Sequence, residues 1–202
     1  FVDMLEEGLL RKLLDVQCFD LRAIESLRTN PDHMEISASV YGNPRAKGCA
    51  VDCLDVMILG ATEIDTRFNV NVITGSNGVI MGGSGGHNDT AAGARLAIVV
   101  ANLIRGRLPI VVEEVVTVTT PGETIDVLVT ERGIAVNPQR QDLLDKLQGS
   151  RLPLLTIEEL KREAEALTGK PSPLHGGERV VAVAEYRDGT IIDLVREIRG
   201  EE

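Results

Sequence analysis

Hydrophobic positions recur at helical spacing near the start of the chain, through Val2, Met4, Leu5, Leu9, Leu10, Leu13 and Leu14, and predict an amphipathic helix. Asp20 is placed to cap a second helix over Leu21–Arg28, which Asn30-Pro31 would stop. Glu35–Tyr41 reads as extended. Val56–Leu59 is a continuous apolar run of the kind found in a sheet buried on both faces. Phe68–Val72 alternates strictly, which predicts a strand with one wet face, and Asn77-Gly78 is a hairpin signal leading into Val79–Met81. A helix is expected over Ala91–Ile104, with Asn88 or Asp89 as its cap. Strands are expected at Ile110–Val112, Val115–Val118 and Ile125–Val129. Asp142–Leu147 reads as a short helix. Thr156 with Glu159 forms a capping box for a helix ending near Leu167. Thr168–Glu178, rich in Pro and Gly, reads as a linker, and Val180–Glu185 and Thr190–Val195 flank Asp188-Gly189 in a closing hairpin. Strands and helices mix without a regular βα repeat, so the expected class is α/β, a mixed β-sheet with packed helices.

Composition narrows the possible functions. The 202 residues carry a net charge of −10 and only 2% aromatics. That field repels phosphate backbones and anionic lipid, and few rings are available for base stacking, so nucleic-acid binding is excluded. The longest apolar runs, such as Leu96–Ala101, are far short of the ~20 residues of a membrane span. A basic segment followed by an apolar one is also lacking, so no secretory signal is read and a cytoplasmic location is expected. Cys18, Cys49 and Cys53 cannot pair completely and are expected as free thiols. His33, His87 and His175 are scattered, and no ligand spacing for a closed metal site is present, so no metal is expected.

Seven of the twenty glycines (Gly75, Gly78, Gly82, Gly83, Gly85, Gly86 and Gly93) fall within nineteen residues. Between a strand and a helix, Met81–Asp89 fits neither a dinucleotide-binding glycine pattern nor a phosphate loop with its Lys-Ser/Thr pair. Consecutive glycines can turn backbone N–H groups into one concavity, suited to a carboxylate, a phosphate or the oxyanion of an attacked thioester. A tight turn with a purely structural role would use the same residues. Glu63 could bind substrate or pair with an Arg. Asn69 and Asn71 share a strand face and could both address a ligand. His87 could donate to a carboxylate. Glu131 reads as a strand-end residue, and one of Arg95, Arg105 and Arg107 could bind a carboxylate as a fork.

Gly82-Gly83-Ser84-Gly85-Gly86 followed by Asp89 and Gly93-Ala94 resembles the glycine loop of family I CoA-transferases and acetyl-CoA hydrolases. Thr62–Asp65 with Asn69-Val70-Asn71, and Val127–Ala135, resemble two further segments of that family in the same order. Leu14–Asp20, Ile58–Asp65 and Thr119–Thr124 are similar to the citrate lyase α-subunit family, the citrate CoA-transferases. This resemblance runs over essentially residues 1–202, through the hairpin of 175–202, and implies a CoA-transferase-like half-domain, the C-terminal half of a longer chain. It implies exchange of the acetyl group of an acyl-carrier thioester for citrate, giving citryl thioester and acetate, with no cofactor bound by this chain and a CoA-type thiol as co-substrate. The implied partners are the β (lyase) and γ (acyl carrier) subunits. By this resemblance Gly85 and Gly86 would stabilise the oxyanion, while Gly83, Ser84, Glu63, Asn69, Asn71 and His87 would contact substrate. Related transferases carry a glutamate nucleophile in a segment matched here by Phe1–Gly8, where the position holds Asp3. Asp3 is therefore either a shorter nucleophile or a solvated residue, and citrate's own carboxylate could attack instead. A citramalate-type transferase, an acetyl-CoA hydrolase and a non-catalytic scaffold are the alternatives, and a fragment without its other half is expected to be inactive.

Overall fold

The computed structural model describes residues 1–172, 174 and 176–198; Pro173 and His175 of the expected linker, and residues 199–202 of the closing segment, lie outside the described residues. The chain divides into two compact units, Phe1–Cys53 and the remainder from Leu54.

In the first unit, α1 covers only Val2–Glu6. The longer helix implied by the apolar spacing does not form, because Gly8 takes a left-handed φ of 72°. With the chain so turned, the Gly8 and Leu9 N–H groups donate back to the carbonyls of Leu5 and Met4, closing the helix end. Leu13–Asp15 is then strand β1, parallel to β2 at His33–Glu35. Between them lies α2, Leu21–Thr29, capped by Asp20 Oδ1, which accepts from the Ala23 N–H at 2.7 Å. The stretch expected to be extended to Tyr41 turns at Ser37. Its hydroxyl accepts from the Val40 N–H and starts helix α3, Ala38–Gly42.

The second unit is built on a four-stranded mixed sheet in the order β11 (Ile134–Val136), β10 (Val127–Val129), β6 (Leu96–Val100), β3 (Val56–Leu59). The last three are parallel and β11 is antiparallel. The expected helix over Ala91–Ile104 is two elements. Helix α4 runs from His87 to Gly93, and Leu96–Val100 is a central strand. The run Leu-Ala-Ile-Val-Val is rich in β-branched residues, which suit a pleated ladder better than a helix turn.

Met57, Ala97, Val99, Leu128 and Ala135 line one face of the sheet and are buried in the core with Ile64, Phe68 and Leu160. On the opposite face, Val56 and Ile58 remain 44% and 63% exposed, so β3 is buried on one face, not both.

A three-stranded sheet, β5 (Val70–Asn71), β4 (Glu63–Asp65), β9 (Val111–Val112), stands beside it, and β7 (Ile104–Arg105) pairs with β8 (Leu108–Pro109). Val115–Val118 is not a strand: the Val116 and Val118 N–H groups donate to the Glu63 and Asp193 carboxylates at 3.1 and 2.6 Å, so no ladder uses them. Gly78, at φ 75°, turns the expected hairpin, whose arms meet in a single bridge between Thr74 and Ile80.

Helix α5 is Gln141–Leu147. Helix α6, Ile157–Thr168, carries both bonds of the capping box. The closing hairpin forms with longer strands than expected: β12 (Gly176–Glu185) takes in the end of the expected linker, because its residues pair with β13 (Ile191–Ile198), and the two flank Gly189 at φ 92°. Among the described residues, no helix is long and apolar enough to cross a membrane.

Candidate functional site

The glycine loop enters α4 through a tight turn closed by the His87 N–H donating to the Ser84 carbonyl at 3.1 Å. Gly85, inside that turn, has φ 54°, a region side chains rarely adopt. A Cβ built at Gly82, Gly83 or Gly85 would meet no atom within 4 Å, so the loop opens to solvent and its glycines are not packing devices. Gly86 is the N-cap of α4 and no side chain caps the helix; Asn88 and Asp89, the expected caps, lie inside its first turn. Among the described residues, no acceptor takes the N–H of Gly85 or Gly86.

His87 fixes this turn from below. It is buried, with Nδ1 2.7 Å from Thr120 Oγ1 and Nε2 3.0 Å from the Gly60 carbonyl. A carbonyl only accepts, so Nε2 carries the proton and Nδ1 accepts from the Thr120 hydroxyl. Burial pushes the imidazole pKa down, against the opposing bond to Gly60, and holds it neutral. Neither ring nitrogen is left for a ligand.

A separate buried polar cluster joins Asn71 to Glu63, Thr74 and Thr117. Asn71 Nδ2 donates to Glu63 Oε2, the Thr74 carbonyl and Thr74 Oγ1, while its Oδ1 accepts from the N–H groups of Ile73 and Thr74. Asn69 Oδ1 accepts from the Gly122 N–H and its Nδ2 donates to Asp65 Oδ2. Asp65, fully buried at the end of β4, also accepts from the N–H groups of Arg67 and Asn69, which closes the turn where Phe68 takes φ 65°. The strand β5 thus covers only Val70–Asn71, and Asn69 serves the turn and Asn71 the cluster.

Glu63 is 2% exposed. Its Oε2 holds Asn71 Nδ2 and the Val116 N–H, and among the described residues it forms no ion pair. It lines a cavity of about 900 Å³ together with Thr74, Thr117, Lys161, Asp193 and Arg196; the lining residues include none of Gly82–Gly86.

Asp3 belongs to the first unit, in the first turn of α1, exposed and ion-paired to Arg22, which also reaches Glu6 at 2.8 Å. Glu131 is a strand-end residue, its Oε2 accepting from the Leu103 N–H. Arg95 is exposed against Asp55, and Arg105 points a guanidinium nitrogen at the Ala61 carbonyl at 3.4 Å.

A profile of the family described as citrate lyase, alpha subunit (CitF) matches residues 1–198. The chain belongs to the citrate lyase alpha-subunit family. It is 56% identical to the citrate lyase alpha chain of Klebsiella pneumoniae over all of its length, and 54% identical over 98% of its length to that of Escherichia coli. It spans about two-fifths of these curated relatives, 40% and 39% of their lengths. A solved citrate lyase alpha subunit from Streptococcus mutans, crystallised in complex with citrate, superposes with a TM-score of 0.95 at 51% identity, covering 98% of this chain and 39% of that one. RipA from Yersinia pestis shares the fold at 16% identity and a TM-score of 0.55, over 82% of this chain and 40% of its own.

For this citrate lyase alpha-subunit segment, the structure adds a residue that sequence reasoning passed over. Arg187, in the turn between β12 and β13, brings its Nε to 3.3 Å from Asp89 Oδ1, with both side chains largely buried. Burial raises the Asp89 pKa and the guanidinium opposes it. The two residues are nearly a hundred positions apart, and no local signal joins them. Ser84 and Gly83 complete the turn; Ser84 is half-buried and Gly83 exposed.

Proposed function

We propose that this segment supplies the glycine-loop half of a citrate CoA-transferase, exchanging the acetyl group of an acyl-carrier thioester for citrate. The observation that carries the reading is the open turn at Ser84–His87. Its two N–H groups, on Gly85 and Gly86, have no partner among the described residues, and a buried neutral His87 fixes the turn. Such donors suit charge that develops on a carbonyl oxygen. Membership of the citrate lyase alpha-subunit family and the citrate complex of the Streptococcus mutans relative support citrate as the substrate.

In this reading a citrate carboxylate oxygen attacks the acetyl thioester carbon, the carbonyl π pair moves to oxygen, and Gly85 and Gly86 N–H groups hold the oxyanion. Collapse breaks the C–S bond and gives a mixed anhydride and a thiolate. The thiolate attacks the citryl carbonyl carbon, the bond from that carbon to the bridging oxygen breaks, and acetate leaves with that oxygen. The CoA-type thiol belongs to the acyl carrier; this chain binds no cofactor. The exposed ion pair of Asp3 with Arg22 favours direct attack by citrate over a covalent aspartyl intermediate. Gly83 and Ser84 would line the substrate side of the turn, and His87 would position it from the buried side. The β (lyase) and γ (acyl carrier) subunits would then consume and deliver the thioester, in the cytoplasm.

The test uses the complete alpha subunit in the assembled complex, with acetylated carrier and citrate. Replacing Gly86 by Pro, which removes the backbone N–H, should slow citryl-carrier formation about 100-fold, the ~3 kcal/mol typical of one oxyanion donor. An unchanged rate overturns the oxyanion assignment. Citramalate and water, offered as competing acceptors, separate the citrate reaction from a citramalate-type transferase and a hydrolase.

A further inference from the structure

The first unit brings together three metal-ligating side chains that the proposed chemistry does not use. Asp15 closes β1, Cys18 lies in the turn that follows, and His33 opens β2. Asp15 Oδ2 accepts from the Cys18 thiol at 3.2 Å and faces His33 Nε2 at 3.1 Å, and one ligand atom from each of the three lies within 4.8 Å of the others. We infer that Asp15 Oδ2, Cys18 Sγ and His33 Nε2 form a binding site for a single zinc-class divalent cation.

The donor set is mixed sulfur, nitrogen and oxygen, which suits a borderline ion such as Zn²⁺ or Co²⁺ over the hard Mg²⁺ or Ca²⁺. Three protein ligands leave a fourth tetrahedral position for water or a carboxylate. The register sets Glu35 directly opposite Asp15 on β2, so two carboxylates share one side of a parallel pair, an arrangement that repels unless a cation lies between them. Asp20 adds negative charge near the thiol.

The second layer is also in place. His33 Nδ1 lies 3.0 Å from Ser26 Oγ on α2, and both residues are buried, which fixes the ring so that Nε2 faces Asp15. The site is reachable, because Cys18 and Asp15 are half-exposed.

Binding is a ligand exchange that balances simply. The thiol gives its proton to solvent and its sulfur lone pair to the metal. The metal takes the imidazole through an unprotonated Nε2, with the ring proton on Nδ1 donating to Ser26 Oγ. Such a clasp ties β1, β2 and the turn between β1 and α2 together.

The experiment is a Co²⁺ titration of the full 202-residue chain, followed in the visible and near-ultraviolet, with Zn²⁺ as competitor. The expected result is one equivalent bound, with d–d bands of a tetrahedral site and a thiolate-to-cobalt charge-transfer band that Zn²⁺ bleaches. Cys18→Ser should abolish the charge-transfer band and weaken binding on the order of tenfold or more. Cys53→Ser, removing an exposed thiol outside the cluster, should leave the spectrum unchanged. His33→Gln should weaken binding similarly; because His33 is buried, a melting curve in EDTA accompanies it, and Zn²⁺ should raise the melting temperature of the parent chain but not of Cys18→Ser. Absence of a thiolate band in the parent chain, or a band that survives Cys18→Ser, overturns the assignment.

Discussion

His87 shows how much one side chain can decide. It is the first residue of α4, and its ring bridges the Gly60 carbonyl and the Thr120 hydroxyl beneath the glycine turn. Burial lowers its pKa below the ordinary imidazole value, so the native state resists a proton that the unfolded chain accepts near pH 6.5. The unfolded state therefore binds more protons below that pH, and stability falls as pH falls through this range. The expected outcome is a urea midpoint that declines from pH 7.5 to pH 5, with a His87 share of up to ~1.4 kcal/mol per pH unit. In His87→Gln that share should vanish and the slope flatten; equal slopes in the two proteins would remove His87 from the account. The residue types at the turn were legible in the sequence, since Gly82–Gly86 stood out as a cluster. The task of His87 was not, because Gly60 and Thr120 lie 27 and 33 positions away. The internal bonding of Asn69 and Asn71 was hidden for another reason: apart from Gly122 their partners lie within eight residues, but the alternation with Phe68, Val70 and Val72 suggests a strand with a shared wet face where the chain instead turns.

At the scale of elements, close approach of two segments matters more than propensity. The 3₁₀ turn at Gly122–Thr124 passes over the Asp65–Asn69 turn so closely that a Cβ at Gly122 would stand 1.9 Å from the Arg67 carbonyl oxygen and 2.8 Å from the Asn69 nitrogen. These are backbone atoms and cannot step aside. At Gly133 a Cβ would meet Leu155 Cδ1 at 2.7 Å, the end of a side chain that can rotate, and the Pro153 carbonyl oxygen at 3.1 Å, which need give by only a few tenths of an ångström. Gly122→Ala should therefore cost more than ~3 kcal/mol or prevent folding, and Gly133→Ala about 1 kcal/mol, measured by urea denaturation of both. The reverse order would show that the two turns do not cross at van der Waals contact. Elements whose signals are local were readable in advance: the Asp20 cap, the Thr156–Glu159 box and the Asp188-Gly189 hairpin all depend on neighbours within four residues. Elements that depend on distant partners were not. Leu96–Val100 is helical or extended by its apolar content alone, and becomes a strand because β3 and β10 flank it. Val115–Val118 has strand composition, yet its N–H groups go to Glu63 and Asp193.

For the whole molecule, the parallel sheet carries apolar residues on both faces; among the described residues one face is buried, the other only at its β10–β11 end, where Val127 and Val136 are buried. Met57, Val99 and Leu128 are buried with the core, whereas Val56, Ile58 and Val100 on the other face are exposed. Transfer of apolar area from water stabilises only where the area is removed. Leu128→Ala should thus cost about 2–5 kcal/mol, and Ile58→Ala less than about 1 kcal/mol, in equilibrium unfolding of the 202-residue chain. A large loss at Ile58 would mean that this face is covered in solution.

By itself the sequence determined the family, the α/β class, the capped helices, the closing hairpin and the location of the glycine turn, because these rest on residue identity and short spacing. Tertiary structure decided which apolar run became a strand, which sheet face was covered, and what Glu63, Asn71 and His87 bond. It also joined Asp15, Cys18 and His33 through the pairing of β1 with β2. The physical reason is common to all of these: a backbone N–H, a carboxylate or an apolar surface is satisfied by whatever lies nearest in space, and that neighbour is fixed only once the chain has folded.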